Sequence, residues 1–579
     1  MNSRTTLFLI VLVALVGGLV LWDQYKGTTT ERHQLKSKRI VDFDPRDVTG
    51  IDLVRSNQTV VLEKTGDNWN LKQPLAARAD ASAENSILDE LEFAERTRTI
   101  TEKELEGVSL TDFGLDAPVI RVTLHSKKRP IGLLIGRETP TKDALYIQVE
   151  GRKEVYIGRK SVQERLSETV DAIRSRAAIE FTPPAVTRLE IKAADRIIEV
   201  SRAAVTTNVE TRWTLTRPLV ARANQGKVSE LLADLDGLRI QDFVSEDPKD
   251  VHTYQLDEPD REVTVFAGDT GQTLVLGKPL TNDAAKVYAK LKAGNSIFTV
   301  STDVTKKFAA QINDLRDPRV LTFPEDAVKG IEILQGPDKI ALTVDDKGWN
   351  ITTPIAVAGD TAAIRQFLRD LGSVRATQFV ADVATDLDRY GLAAPGMTVS
   401  LWGEGTNLLA QLLVGSLDAG SGVRYVKRAD EPFVYGVESN ALDRIPDNYG
   451  VLRTRQIFDL KPDQITKLVA GNVIVARDAP GKWKLVEPPQ GVLNVDGLQN
   501  LLALLCRLQG EEFGRARTEQ DAGLGATITV MIGDTTHWLS MAKDGQAAAD
   551  TCELTFKLSE PIVQTLTKEI AAAPALPGH

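Results

Sequence analysis

The chain has 579 residues, of which 42% are hydrophobic and 26% are charged, and its formal net charge is −10. This composition is typical of a folded globular protein and excludes a largely disordered chain. The acidic balance argues against a nucleic-acid partner, which would require a concentrated basic face. The length fits about four domains.

An uncharged apolar segment, Leu7–Trp22, lies close to the N-terminus. Together with the two threonines before it, it approaches about 18 residues, the short end for a membrane-spanning helix. A removed signal peptide would need a small-x-small cleavage site, and Gly17-Gly18 offers a poor one; no cysteine follows that could carry a lipid. We therefore predict an uncleaved signal anchor, with Trp22 and Tyr25 at the membrane interface. A buried core helix is the alternative, which the uniformly apolar and terminal character of the segment disfavours.

The orientation of this anchor is less simply predicted. Basic residues beyond the segment oppose the positive-inside rule; they are Lys26, Arg32, Lys36, Lys38 and Arg39. Long domains, however, translocate largely regardless of such charges. We therefore expect a single-pass protein of the bacterial inner membrane with most of its chain in the periplasm.

Four windows of the chain repeat one spacing without a gap: a tryptophan, a proline five residues later and a helix-capping residue six residues after the proline. The windows are Trp69/Pro74/Asp80, Trp213/Pro218/Asn224, Trp349/Pro354/Asp360 and Trp483/Pro488/Asn494. Each continues with three large apolar residues: Ile87, Leu88 and Leu91; Leu231, Leu232 and Leu235; Phe367, Leu368 and Leu371; Leu501, Leu502 and Leu505. The tryptophans lie about 140 residues apart, which fits a whole small domain rather than a solenoid repeat.

The first repeat shows its elements most clearly. Ile51–Val54 and Thr59–Lys64 alternate in polarity and predict a hairpin. Trp69 lies on a third strand, which Pro74 ends because proline cannot donate to a ladder. Asp80 predicts the cap of a helix whose apolar stripe lies on the sheet. We expect the tryptophan in the core, with an exposed ligand-stacking side chain as the alternative. The acidic residues of this helix are interpreted as a solvated face: Glu84, Asp89, Glu90, Glu92 and Glu95.

A turn with a glycine between an aromatic residue and a leucine follows, at Phe113–Pro118. The turn recurs at Tyr390–Pro395 and, with glutamine in place of the glycine, at Tyr254–Pro259, and the fourth repeat keeps only Gly523–Gly525. We interpret it as a tight turn pinned into the core, with a binding loop as the alternative. Four strands are then predicted: Val119–Leu124, Ile131–Ile135, Leu145–Val149 and Val155–Ile157. A second helix is predicted in each of the first three repeats: Ser161 to about Arg176, Thr302–Leu315 and a less regular Asn440–Leu452.

An apolar residue followed by arginine recurs at the end of each of these second helices: Ile173-Arg174, Leu315-Arg316 and Leu452-Arg453. Phe181, Phe323 or Leu460 follows seven residues after each arginine. We expect the three arginines to be joint residues, with packed stems and with heads bonded to the backbone of the next repeat. A shared anion site is the alternative.

The predicted fold class is α+β: an N-terminal transmembrane helix followed by four tandem repeats, each a mainly antiparallel β-sheet with two helices. The predicted boundaries are 1–39 for the anchor and tether, 40–181, 182–323, 324–458 and a shorter 459–570 for the repeats, and 571–579 for a disordered tail. Residues 203–210 predict a lengthened hairpin in the second repeat.

The sequence predicts no catalytic, cofactor-binding or metal-binding residue and no cofactor. The five histidines, His33, His125, His252, His537 and His579, lack metal-ligand spacing. Asp42, Asp44, Asp345 and Asp346 are interpreted as turn residues. A disulfide between Cys506 and Cys552 and two unpaired thiols both remain open.

On these patterns, notably Asp67-x-Trp69-x-Leu71-x-x-Pro74 and Gly114-Leu115-x-x-Pro118, the chain resembles the domain-of-unknown-function family 4340 over nearly all of its length after Arg39. The resemblance implies a bacterial membrane-anchored protein with several such units. It also implies an association with gliding-motility-type ABC transporter components, which members of the family commonly accompany. It transfers no catalytic residue.

Three functions follow as hypotheses. The first is a non-enzymatic, membrane-anchored periplasmic accessory or scaffold protein of an ABC-type transport complex, with a protein partner in that complex. The second is a module that binds cell-wall glycan or exported polysaccharide, for which Trp402 and Trp538 are the candidate stacking residues. The third is an envelope hydrolase, which would show one repeat with a deep pocket and shifted carboxyl pKa values.

Overall fold

A computed structural model describes residues 38–575 except 195, 204–211, 310, 480–481, 490–491 and 573. The predicted anchor Leu7–Trp22, most of the predicted hairpin extension at 203–210 and the last residues of the predicted tail lie outside the described residues. Among the residues described, no helix is both long enough and apolar enough to cross a membrane. The chain divides between Leu315 and Arg316 into two compact units, each of which contains two repeats.

The first repeat is one antiparallel sheet of nine strands in the order β4-β3-β2-β1-β6-β7-β8-β9-β5. Its strands are β1 (Val48–Arg55), β2 (Thr59–Thr65), β3 (Asn68–Gln73), β4 (Ala77–Arg78), β5 (Arg96–Ile100), β6 (Ile120–Ser126), β7 (Ile131–Glu138), β8 (Ala144–Val149) and β9 (Val155–Arg159). Ile51 and Leu53 alternate with more exposed residues along β1 and are fully buried. This alternation places one face of the sheet in the core.

The second repeat has the same nine-stranded order, β13-β12-β11-β10-β15-β16-β17-β18-β14. Its strands are β10 (Arg188–Ala193), β11 (Arg196–Ser201), β12 (Thr214–Arg217), β13 (Ala221–Arg222), β14 (Asp242–Ser245), β15 (Arg261–Ala267), β16 (Thr270–Pro279), β17 (Lys286–Leu291) and β18 (Ile297–Ser301).

The third repeat follows it strand for strand, in the order β22-β21-β20-β19-β24-β25-β26-β27-β23. Its strands are β19 (Gly330–Gln335), β20 (Asp338–Asp345), β21 (Gly348–Thr353), β22 (Val357–Ala358), β23 (Ala376–Ala381), β24 (Met397–Trp402), β25 (Leu408–Asp418), β26 (Val423–Arg428) and β27 (Val434–Glu438).

The fourth repeat has an eight-stranded sheet, β30-β29-β28-β33-β34-β35-β36-β32, and a separate pair β31-β37. Its strands are β28 (Lys467–Ala470), β29 (Val473–Ala479), β30 (Lys482–Glu487), β31 (Val492–Leu493), β32 (Glu512–Ala516), β33 (Ala526–Ile532), β34 (Thr535–Met541), β35 (Gln546–Ala549), β36 (Leu554–Lys557) and β37 (Pro574–Ala575). The prediction of a disordered tail from 571 is wrong for its first part, because a helix reaches Ala572 and Pro574–Ala575 pairs with Val492–Leu493.

The predicted capped helix is present in every repeat. The helices are α1 (Ala81–Glu92), α4 (Gln225–Asp236), α7 (Thr361–Ser373) and α8 (Val495–Leu505). Each cap side chain accepts backbone N–H groups of the first turn, as Asp80 does from Ser82 and Ala83. The predicted apolar residues are buried on one face. One acidic residue departs from the predicted solvated face: Glu84 is buried.

The prediction of a continuous second helix is wrong. In the first two repeats it is broken into the short helices α2 (Ser161–Leu166) and α3 (Val170–Ile173), and α5 (Asp303–Lys307) and α6 (Ile312–Leu315). In the third, only the 3₁₀ turns Ser439–Leu442 and Tyr449–Val451 remain, with Pro446 between them. Thr169 explains the first break because it adopts an extended conformation. In the fourth repeat, α9 (Glu560–Ala572) is a continuous helix.

Each sheet also contains a strand that the sequence analysis did not predict. These are β5, β14, β23 and β32, each of which follows the capped helix and pairs with the last strand of the hairpin series. In β5 the sequence Arg96–Ile100 carries no fully buried residue. Such edge strands lack the apolar alternation that identifies a strand in a sequence.

The repeated tryptophans occupy the same place on the third strand of each sheet. Trp69, Trp213 and Trp349 are buried at 4%, 4% and 7% exposure, and Trp483 is half-buried against the core of the fourth repeat. The predicted core position of the indole is therefore confirmed in three repeats, and in the fourth the indole is only half-buried. The peptide bond before each of the four repeated prolines is cis.

Candidate functional site

The turn after the capped helix is built into the sheet. Phe113, Tyr254 and Tyr390 each meet a tyrosine of the same sheet edge to face, with ring centres 4.8, 4.9 and 5.1 Å apart. The following leucines, Leu115, Leu256 and Leu392, are buried. The turn is thus packed in the core by an aromatic pair and a leucine in three repeats, as the structural interpretation predicted.

A glycine on the neighbouring strand makes this close approach possible. A Cβ atom on Gly136, Gly277 or Gly415 would lie 2.3, 2.2 or 2.1 Å from the carbonyl oxygen of the turn's aromatic residue. Such contacts are far inside van der Waals distance, so only glycine fits there. The turn itself uses the left-handed conformation at Gly114 and Gly391, and in the second repeat the non-glycine Gln255 adopts it at φ 55°.

The first joint arginine, Arg174, is 5% exposed and lies at the boundary of the first two repeats. Its guanidinium carbon is 3.8 Å from the ring centre of Phe243 in the second repeat. Its head forms an ion pair with Glu246, including Nη2 to Oε2 at 3.2 Å. Burial would raise the pKa of Glu246, but the hydrogen bonds from Arg174 and Ser296 outweigh it and the net shift is downward. Because Asp171 also lies 3.6 Å from Nη1, the head is held by a ring and two carboxylates.

The two later arginines use the same kind of ring. Arg316, 2% exposed, lies 4.1 Å from the Phe379 ring centre, and its Nη1 donates to Asp382 at 2.6 Å. Arg453, 5% exposed, lies 3.3 Å from the Phe513 ring centre. At the first two joints the carboxylate residue, Glu246 or Asp382, lies three residues after the phenylalanine. At the third joint this position is Ala516, which has no carboxylate.

The prediction that these heads bond to the next repeat's backbone is wrong for Arg174, whose head contacts carboxylates and an aromatic ring. Arg176 has that role instead, with Nη1 donating to the carbonyls of Ile240 at 3.2 Å and Gln241 at 2.7 Å. The packed stems are confirmed by burial. No local pattern indicates the carboxylate partners, because Arg174 and Glu246 are 72 residues apart.

Each joint is also tied to the capped helix of its own repeat. The backbone N–H of Asp80 donates to the carbonyl of Ile173 at 2.7 Å. Asn224 donates to Leu315 at 2.8 Å, and Asp360 donates to Leu452 at 2.7 Å. The residue directly before each joint arginine therefore accepts a hydrogen bond from the residue that caps the helix.

A cavity of about 640 Å³ opens beside the first joint. Its walls come from both repeats: the β1–β2 turn Ser56–Gln58, the segment 167–171, Pro74 and Leu75 on one side, and Phe243–Glu246 on the other. Arg55 also lines it and donates from Nη1 to the carbonyl of Glu168 at 2.7 Å, and burial lowers the pKa of its guanidinium. The cavity is large enough for a ligand or for side chains of a partner protein.

The other candidate residues lie apart from this cavity. Asp44 accepts hydrogen bonds from Arg46 and Asp345 accepts them from Lys347 and Gly348, as expected of turn residues. His125 and His537 each pair with one aspartate, Asp52 and Asp550. Among the described residues, no group of three potential ligands could hold a metal ion.

The cysteines and the two additional tryptophans are all in the second compact unit. Cys506 and Cys552 are both free thiols, the first half-buried and the second buried. Trp402 and Trp538 are half-buried rather than open. The guanidinium of Arg517 lies 5.4 Å from the ring centre of Trp538, so one face of that indole is already covered.

Comparisons with solved structures give similarities of low score. The DnaN sliding clamp (DNA polymerase III subunit beta) of Pseudomonas aeruginosa bound to griselimycin is 9% identical, with 70% of this chain and 94% of that chain covered and a TM-score of 0.10. The DNA polymerase III subunit beta of the same organism is also 9% identical, with 70% and 95% covered and a TM-score of 0.12. These TM-scores are too low to support a shared architecture. No curated protein matches the chain.

A family model matches most of the chain. The domain of unknown function DUF4340 matches residues 69–211, 213–382 and 349–526. The three matches begin at Trp69, Trp213 and Trp349, which are the repeated tryptophans. Because these segments together span well over half of the sequence, the chain belongs to the DUF4340 family.

Proposed function

We propose that this protein is a non-enzymatic accessory or scaffold subunit of an ABC-type transport complex, anchored in the bacterial inner membrane by Leu7–Trp22 with its repeats in the periplasm. The association with a transporter comes from the family resemblance. The anchor comes from the uncharged apolar segment at the N-terminus.

The observation that carries this proposal is the repetition of one sheet-and-helix body with the same joint residues. Each repeat has its own buried strand face and its own capped helix. Copying such a body multiplies contact surface without adding new chemistry, which suits a protein that holds partners together. An enzyme would be expected to concentrate unusual polar groups in one repeat.

The cavity at the first joint is where we expect a partner to bind. It has polar groups on an exposed turn at one wall and a half-buried phenylalanine at the other. Interface centres commonly combine an aromatic side chain with surrounding polar groups. This location makes the proposal testable at a single residue.

Site-specific photo-crosslinking in cells tests the function. A photoreactive residue is placed at Asn57, which is exposed and lines the cavity, and for comparison at Lys103, which is exposed and lies outside it. The proposal predicts a crosslink from position 57 to a multi-span membrane protein of a transporter and a weaker or absent one from position 103. Recovery of the full chain in the soluble fraction, or crosslinks only to cell-wall glycan, would contradict it.

A further inference from the structure

One residue of the first repeat differs in kind from its counterparts. Glu84, Val228, Ile364 and Leu498 each lie four residues after the helix cap. In all four, the backbone N–H donates to the carbonyl of the capping residue at 2.9 to 3.1 Å. The four side chains therefore start from the same point of the fold, and three of them are apolar.

The position is a core position. Val228, Ile364 and Leu498 are 0% exposed and Glu84 is 6% exposed. In the third repeat, a Cβ atom on Gly359 would lie 2.8 Å from Cδ1 of Ile364 and 3.0 Å from the carbonyl oxygen of Trp349. The side chain of Ile364 therefore lies against the strand that carries the tryptophan. In the first repeat a carboxyl group occupies that space.

The carboxyl group of Glu84 is poorly compensated. Its Oε2 atom is buried and has no hydrogen-bond partner among the described residues. A buried carboxylate without partners is costly, so the neutral acid is the form that packs. Burial raises the pKa of Glu84 from 4.5 to about 7; Asp80 adds to the shift, and Lys64 and Arg78 oppose it.

The other elements that pack on α1 carry charges that already have partners. These elements are the 3₁₀ turn Pro45–Asp47, β3, α2 and α3. Ion pairs join Arg46 to Asp44, Asp47 to Lys128, Lys72 to Glu63, Arg165 to Glu168 and Asp171 to Arg174. Glu164 on α2 is the remaining acidic residue on these elements. Its charge interacts favourably with Lys160 and helps to raise the pKa of that lysine.

We propose that Glu84 makes the first repeat a proton-controlled module: the neutral acid keeps the start of α1 packed on the sheet, and loss of the proton opens it. The first turn of α1 is joined to the boundary with the second repeat, because the N–H of Asp80 donates to Ile173 and Ala79 bridges to Arg174. Opening of this turn therefore loosens the Arg174 joint. No equivalent response arises in the other three repeats, where the residue is apolar.

The direction of the effect follows from proton linkage. Because the pKa in the folded state is above that of the unfolded chain, the folded form holds a proton that the unfolded form has released between about pH 4.5 and 7. Stability from this residue is complete below that window and is lost as the pH rises through it. Within this window, each pH unit changes the opening equilibrium constant tenfold. Across the whole window, the opening equilibrium of α1 should therefore change on the order of a hundredfold.

Hydrogen exchange on the full chain tests the proposal, with α4 of the second repeat as the internal control. After correction for intrinsic exchange rates, the opening constant of α1 relative to α4 should rise on the order of a hundredfold between pH 5 and 8. Glu84→Gln and Glu84→Val should abolish this rise. Val228→Glu should transfer this pH-dependent rise to α4. A Val228→Glu variant that folds only at the lower pH would show the same transfer.

Two results would overturn the proposal. One is a ratio of opening constants that stays the same between pH 5 and 8 in the unmodified chain. The other is a rise of equal size in Glu84→Val, which removes the acid and restores the apolar residue type of the other repeats; this variant also serves if Glu84→Gln does not fold.

Discussion

The guanidinium carbon of Arg174 lies 3.8 Å from the ring centre of Phe243, across the boundary of the first two repeats. The same pair recurs as Arg316 with Phe379 at 4.1 Å and Arg453 with Phe513 at 3.3 Å. A cation over an aromatic face is stabilised by the ring's quadrupole, and the effect grows when water is excluded. Three buried copies of one contact show that duplication of the domain also duplicated the joint.

Loss of the ring at the first joint should destabilise the repeat that contributes it. We expect Phe243→Leu to lower the free energy of unfolding by about 2 kcal/mol, because the buried guanidinium loses its aromatic face while much of the apolar volume remains. Urea denaturation measures this. Val220→Ala is the control, since Val220 lies in the same repeat, is 72% exposed and should change stability by less than about 0.5 kcal/mol.

The third joint should gain from a carboxylate. Nη1 of Arg453 is buried without a hydrogen-bond partner among the described residues, and Ala516 lies where the first two joints carry Glu246 and Asp382. We expect Ala516→Glu to stabilise the fourth repeat by about 1–2 kcal/mol, which a thermal or urea melt would detect. In Arg453→Met the same substitution should give no gain, and an equal gain in that background would contradict the pairing.

Acid should weaken the first joint. The pKa of Glu246 is lowered, because hydrogen bonds from Arg174 and Ser296 outweigh the opposing effect of burial. A carboxyl group with a lowered folded pKa stabilises the protein above its unfolded pKa and loses that contribution as the pH falls through the folded value. The stability difference between the unmodified chain and Glu246→Gln should therefore shrink below about pH 4.5. A difference that is constant from pH 7 to 3 would contradict this.

The glycines beneath the aromatic turns should not tolerate a methyl group. Gly136→Ala would place Cβ 2.3 Å from the carbonyl oxygen of Phe113, so the backbone must shift. We expect a loss of about 3 kcal/mol. Gly523→Ala is the control, because nothing lies within 4 Å of the Cβ position there. Chemical denaturation of both variants measures the contrast, and equal losses would show that the close approach is not the cause.

The repeat architecture was accessible from sequence because its signals are local. The spacing from Trp69 to Pro74 to Asp80 predicts a strand end and a capped helix within one window, and the structure confirms both in every repeat. The turn at Phe113–Pro118 was likewise predicted as part of the core. In each case one short segment carries both the turn chemistry and the apolar pattern.

Three features were not predicted, each for an identifiable reason. The edge strand Arg96–Ile100 lacks an apolar alternation. The pairing of Arg174 with Glu246 depends on contacts between residues far apart in sequence, which no local pattern encodes. The burial of Glu84 was missed although a signal existed: alignment of the four windows places it with Val228, Ile364 and Leu498.

The distance between the first two repeats tests most directly whether the arginine joint fixes one repeat on the next. Spin labels on the exposed residues Lys103 and Asp269, measured by double electron–electron resonance, report this distance in the full chain. If the arginine joint fixes the two repeats, the unmodified protein gives one narrow distribution and Arg174→Ala gives a broad one, with circular dichroism unchanged. A distribution that stays equally narrow without Arg174 would contradict it.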